Sequence, residues 1–135
     1  MSVSHSTRRA EKHLALVVED DDTLRALVAD VLEAHGWQVT VARDGAEALG
    51  LLDASTRPEV IVLDLLMPVL HGWAFMEQYR GKTGGVQIPI VILSVNPVLP
   101  RSFDRFGVVR CLGKPFEVKQ LLSAVDDAIG ASCAI

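Results

Sequence analysis

The sequence is short of the features that mark several large protein classes. Cysteine occurs only twice in 135 residues, as Cys111 and Cys133, in neither a C-x-x-C pair nor a spaced framework. That usage excludes a disulfide scaffold and reads as reduced thiols in a reducing compartment. His5, His13, His35 and His71 have no partner at metal-ligand spacing, so nothing suggests a zinc-type site. No apolar run approaches the roughly 18–20 residues that span a bilayer. Residues 1–13 are polar, and Arg8-Arg9 leads into no apolar stretch, which reads against a secretory or twin-arginine signal. A basic excess is missing too: 13 Lys and Arg stand against 17 Asp and Glu, a formal net charge of −4. Nucleic acid and anionic membranes both require a basic face, so neither is an expected partner. The expected location is the cytoplasm.

What the chain does have is the ordinary balance of a globular protein. Hydrophobic residues make up 50% and charged residues 22%, which separates it from disordered chains. Its length suits one domain with one core. Residues 1–12 read as a flexible tail and residues 13–131 as the folded domain, with no internal repeat, no linker and no output domain expected.

From Leu14 onward, short apolar runs alternate with helical patterns. Residues 14–18 form a buried-strand pattern that opens into the acidic run Glu19-Asp20-Asp21-Asp22. Leu24, Leu27, Val28, Val31 and Leu32 follow at helical spacing, with Asp22 or Thr23 as the expected cap and Gly36 as the stop. Further strands are expected at residues 37–42, 60–65, 88–93 and 108–112, and further helices at 46–54, 73–80 and 116–129. Continuous apolar strands alternating with helices imply a parallel sheet covered on both faces. Right-handed crossovers then gather the loops that follow the strands along one edge, where open α/β sheets bind ligands.

That edge collects chemistry. Glu19 and Asp20 follow the first strand, Asp64 ends the third, and Ser94 and Lys114 follow the fourth and fifth. Clustered carboxylates removed from water need a compensating cation. An all-oxygen donor set suits Mg²⁺, or Mn²⁺, better than zinc. A carboxylate is also a competent nucleophile toward an activated phosphoryl group, whose spreading charge an ammonium and a hydroxyl would stabilise. The acidic run has a plainer reading as a solvated helix N-terminus, where negative charge is favourable, and Asp21 and Asp22 are read that way. Asp64 has no such structural purpose, as a lone acid ending an apolar strand before Met67-Pro68.

Five ordered motifs carry a family resemblance: residues 16–21 (LVVEDD), 42–49 (ARDGAEAL), 61–68 (IVLDLLMP) with Gly72-Trp73 behind them, 90–94 (IVILS) and 114–116 (KPF). Over residues 14–130 the chain resembles the response-regulator receiver family of two-component signalling. The resemblance implies a flavodoxin-like, doubly wound five-stranded sheet of order 2-1-3-4-5. It implies Asp64 as the phosphoacceptor and Asp20 as a direct Mg²⁺ ligand. Glu19 would act mainly through metal-bound water, and the Leu66 backbone carbonyl would complete the protein ligands. Ser94 and Lys114 would bind phosphoryl oxygens, and Lys114–Pro115 would be cis. The implied donor is a histidine kinase or histidine phosphotransfer protein, and the output an unidentified protein target. Such a domain is a phosphoacceptor and not an enzyme proper.

Several positions depart from the family pattern. His71 stands in place of an acid, Val95 in place of a small residue, and Cys111 at the aromatic switch position. Pro97 and Pro100 predict an atypical or shortened helix between strands four and five. These departures keep a second reading open, a pseudo-receiver that binds proteins without being phosphorylated. A phosphohydrolase with an aspartyl nucleophile would want an acid two residues after Asp64, where Leu66 stands.

Overall fold

The computed structural model describes residues 13–53, 57–65, 72–82, 88–95 and 107–133. In chain order the elements are β1 (Leu14–Val18), α1 (Asp22–Ala34), β2 (Gln38–Ala42), α2 (Gly45–Asp53), β3 (Val60–Asp64), α3 (Gly72–Lys82), β4 (Ile90–Ser94), β5 (Val108–Gly113) and α4 (Val118–Cys133). The five strands pair in parallel in the order β2-β1-β3-β4-β5. This is the flavodoxin-like arrangement expected from the motifs. The chain leaves β1 outward to β2, then returns across β1 to β3, so the loops after β1 and β3 diverge and leave a crevice between them.

Strand residues alternate between two apolar layers, which is why the runs carry no polar residue until their ends. Leu16, Val18, Ile61, Leu63, Ile90 and Ile92 pack with Ala48 and Leu49 of α2 and Phe75, Met76 and Tyr79 of α3. Ala15, Val17, Val60, Val62, Val91 and Leu93 pack on the opposite face with Val28 and Leu32 of α1 and Leu121, Ala124, Val125 and Ala128 of α4. Each fully buried aliphatic side chain is worth roughly 1.5–3 kcal/mol, so these layers hold the strand ends in place.

Local signals set the helix ends. Asp21, and not Asp22 or Thr23, caps α1: its Oδ1 accepts the Leu24 N–H at 2.9 Å. Asp22 is instead the first helical residue. Gly36 follows the C-cap with φ +100°, a left-handed conformation costly for any side chain. At α2, Asp44 Oδ1 accepts the Glu47 N–H at 2.8 Å as an N-cap, while Glu47 Oε1 reaches back past it to the Arg43 N–H at 2.6 Å.

Other boundaries move by one to four residues. Trp37 precedes β2 but is buried, Ile88 precedes β4 but is buried, and Ser94 belongs to β4. Helix α4 begins two residues later and runs to Cys133. Leu27 is 50% exposed, because the buried stripe of α1 runs through Val28 and Leu32 and Leu27 lies at its margin. The expected tail at residues 1–12 and the expected irregular helix between β4 and β5 lie outside the described residues.

Candidate functional site

Backbone pairing continues one residue beyond several strands and fixes where the loops begin. The Glu19 N–H donates to the Ala42 carbonyl at 3.1 Å, Leu65 to Leu93 at 3.2 Å, and Lys114 to Ser94 at 2.8 Å. Glu19, Asp64, Ser94 and Lys114 therefore leave the sheet from anchored peptides. The Lys114–Pro115 peptide is cis, as the motif implied.

Glu19, Asp20 and Asp64 each bring a carboxylate oxygen within 4.8 Å of the others. Glu19 and Asp64 are buried and Asp20 is exposed. Lys114 Nζ lies 3.1 Å from Glu19 Oε1 and 3.3 Å from Asp64 Oδ1, bridging the two buried acids. Glu19 Oε2 also accepts the Asp21 N–H at 3.2 Å. Ser94 is buried at the end of β4, in register with Gly113 of β5, one residue beyond the Leu93 that aligns with Asp64.

Among the described residues, the electrostatics are those of a site short of positive charge. Burial pushes the Glu19 carboxyl up from 4.5 to about 7, helped by its hydrogen bond with Asp64. At Asp20 burial is the largest single influence and opposes ionisation, but hydrogen bonds with Asp64 and Glu19, and the Lys114 charge, together outweigh it and hold the carboxyl below its usual value. Burial disfavours the Lys114 charge, yet the Glu19 hydrogen bond and the charges of Glu19 and Asp64 leave its pKa raised. Lys114 is thus a firm ammonium, and one ammonium does not neutralise three carboxylates. The donors are hard oxygens in a small volume, which fits Mg²⁺ or Mn²⁺ and not a thiophilic metal.

Two sequence-predicted positions stand apart from this cluster. Cys111 aligns with Ile92 on β5 and is half-buried against the α2–α3 layer, its thiol pKa pushed up by burial. Val95 is 69% exposed just past β4. Leu66 lies outside the described residues, as does His71.

One residue at the site escaped the reading of sequence motifs. Arg25 of α1 donates from Nη1 to the Glu19 carbonyl at 3.0 Å and from Nη2 to Asp22 Oδ1 at 2.6 Å. An arginine three residues after an acid on a helix was a visible pair, but its backbone acceptor has no sequence signature.

Comparison with known proteins agrees with this geometry. The response regulator receiver domain profile matches residues 15–126. Response regulator MprA of Mycolicibacterium vanbaalenii is 34% identical over 131 residues, covering 89% of this chain and 55% of that protein. Sensor histidine kinase TmoS of Ectopseudomonas mendocina is 34% identical over 128 residues, covering 93% of this chain and 13% of that protein. The chain thus spans about half of the one relative and a small part of the other. Among solved structures, the chemotaxis protein CheY4 of Vibrio cholerae superposes with a TM-score of 0.76 at 29% identity, over 87% of this chain and 98% of that one. The Francisella response regulator 1452 receiver domain gives 0.77 at 28% identity, over 90% and 99%.

Proposed function

The chain belongs to the response-regulator receiver family of two-component signalling, and on that premise we propose that Asp64 accepts a phosphoryl group from a phosphohistidine of a histidine kinase or phosphotransfer protein. One observation carries the reading: the Asp64 carboxylate ends β3 inside the three-acid cluster, with the Lys114 ammonium 3.3 Å away. An Asp64 oxygen attacks phosphorus, the phosphorus–nitrogen bond breaks, and the donor ring, protonated on its other nitrogen, departs as neutral imidazole with the bonding pair. The attacking form of Asp64 is its carboxylate, so the step calls for no base. Lys114 remains protonated and draws the incoming phosphoryl oxygens toward Asp64. Ser94 supplies a hydroxyl to the same oxygens from the end of β4.

Glu19, Asp20 and Asp64, with the Leu66 carbonyl that the family resemblance implies, are the groups that would hold Mg²⁺. Bound there, the ion neutralises charge shared by the carboxylates and the phosphoryl group. Asp20, the exposed acid, is the ligand best placed to meet an arriving cation. Glu19, fully buried and tied to Lys114, acts behind it. The product is an acyl phosphate read by a protein partner, and the domain signals without turning over a substrate.

The test is incubation with Mg²⁺ and acetyl phosphate followed by intact-mass measurement. One added phosphate on the wild type, absent from Asp64→Asn, is expected. An unlabelled wild type would refute the proposal in favour of a non-phosphorylated binding adaptor.

A further inference from the structure

We infer that Arg25 is a positioning residue of the cation site, holding the Glu19–Asp20 peptide so that the Asp20 carboxylate meets the metal. The inference rests on the reading that Glu19, Asp20 and Asp64 bind Mg²⁺. Arg25 sits near the start of α1, where the helix dipole disfavours a cation. Its charge needs another reason to be there. Helical side chains lean toward the N-terminus, and the Arg25 guanidinium follows that lean back to the loop it came from. One arm of the fork donates to the Glu19 carbonyl at 3.0 Å and the other to Asp22 Oδ1 at 2.6 Å. The Arg25 side chain is only 16% exposed, whereas that of Asp22 is 85% exposed. The fork therefore bridges a shielded backbone oxygen to a surface anion.

The Glu19 carbonyl is half of the peptide that leads into Asp20. On its other side Glu19 is held by its own N–H on Ala42 and by its carboxylate on Asp21 and Lys114. Asp21 in turn caps α1 through Leu24. Arg25 closes this web at the one backbone acceptor between the anchored strand end and the exposed ligand. Its hydrogen bonds go to a carbonyl and to Asp22, so it orients the site without occupying a ligand oxygen of Glu19 or Asp20. Partners that orient metal ligands in this way are typically worth about 10–100-fold in affinity.

The sign of the effect separates positioning from simple charge. Removing a cation beside a cation site should tighten Mg²⁺ binding if charge alone mattered, since like charges repel. Positioning demands the reverse. Calorimetric Mg²⁺ titration of Arg25→Met is expected to show affinity weakened about tenfold. Arg25→Lys retains the charge on a single donor and should recover part of the loss. Asp22→Asn, at an exposed site that should fold normally, should weaken binding by a smaller factor that persists at high salt, where the loss of a surface charge alone would be screened out. In metal-free buffer the Asp21 amide of Arg25→Met should exchange faster than in wild type, while amides of α4 keep their protection. Unchanged or tighter Mg²⁺ binding by Arg25→Met would overturn the inference, even with a lowered melting temperature. If Arg25→Met does not fold, unchanged affinity in both Arg25→Lys and Asp22→Asn would overturn it equally. A wild type that takes up no Mg²⁺ would overturn the cation reading, and this inference with it.

Discussion

Glu19 should make the metal-free protein less stable as pH rises through the neutral range, and replacing it by glutamine should remove that loss. Its carboxyl is buried and lies beside Asp64, and these surroundings raise its pKa from 4.5 to about 7. A raised carboxyl binds its proton more tightly in the folded chain than in the unfolded one. Its contribution is therefore fully present below 4.5 and is lost as pH climbs through about 7. The interval corresponds to roughly 3 kcal/mol, a large share of the stability of a domain of this size. The Lys114 contact at 3.1 Å stabilises the ionised form and is already part of that balance. Glu19→Gln keeps the shape and one acceptor oxygen, which serves Lys114 or the Asp21 N–H but not both, and it cannot ionise. Urea unfolding of both proteins in chelator, from pH 4.5 to 8, gives the difference between their profiles, in which titrating groups away from the Glu19, Asp20, Asp64 and Lys114 cluster cancel. The wild type should fall relative to Glu19→Gln by roughly 2–3 kcal/mol across that range. Saturating Mg²⁺ should restore most of the loss, because the ion binds the ionised site of the folded chain. Parallel profiles in chelator would refute the assignment of a strained, buried Glu19.

Asp64→Asn should gain about 1 kcal/mol in chelator at pH 8 by thinning the carboxylate cluster. Equal or lower stability by urea unfolding would show that its pair with Lys114 outweighs the crowding. Asp20→Asn should weaken Mg²⁺ binding, while Lys114→Ala should impair phosphorylation more than cation uptake, and equal loss of Mg²⁺ affinity in calorimetry would contradict that division. Gly36→Ala should cost about 1 kcal/mol, because its φ of +100° strains any side chain although space is open there; an unchanged thermal midpoint would count against the strain.

The strands were legible because β1, β3 and β4 are buried on both faces, leaving unbroken apolar runs that end where the sheet ends. Asp64 stood out for the same reason, as a charge at the end of such a run, and Lys114 for its place before Pro115 at the end of β5. Residues fixed by backbone partners were harder to see. Asp21 took the cap because the first helical turn starts one residue earlier than the apolar spacing suggests, and neighbouring aspartates are chemically alike. Arg25 drew no notice because its chief acceptor is a carbonyl, which every residue has. Cys111 was noted as a departure from the switch pattern, and the structure adds that it packs as a half-buried thiol against the α2–α3 layer.

Everything proposed for this site depends on Asp64 itself carrying the phosphoryl group. Borohydride reduction of protein treated with Mg²⁺ and acetyl phosphate converts an aspartyl phosphate to homoserine, and peptide mass spectrometry then locates it. Homoserine is expected at position 64 in the wild type and at no position in Asp64→Asn. Homoserine at Asp20 or another carboxylate, with position 64 unmodified, would contradict it.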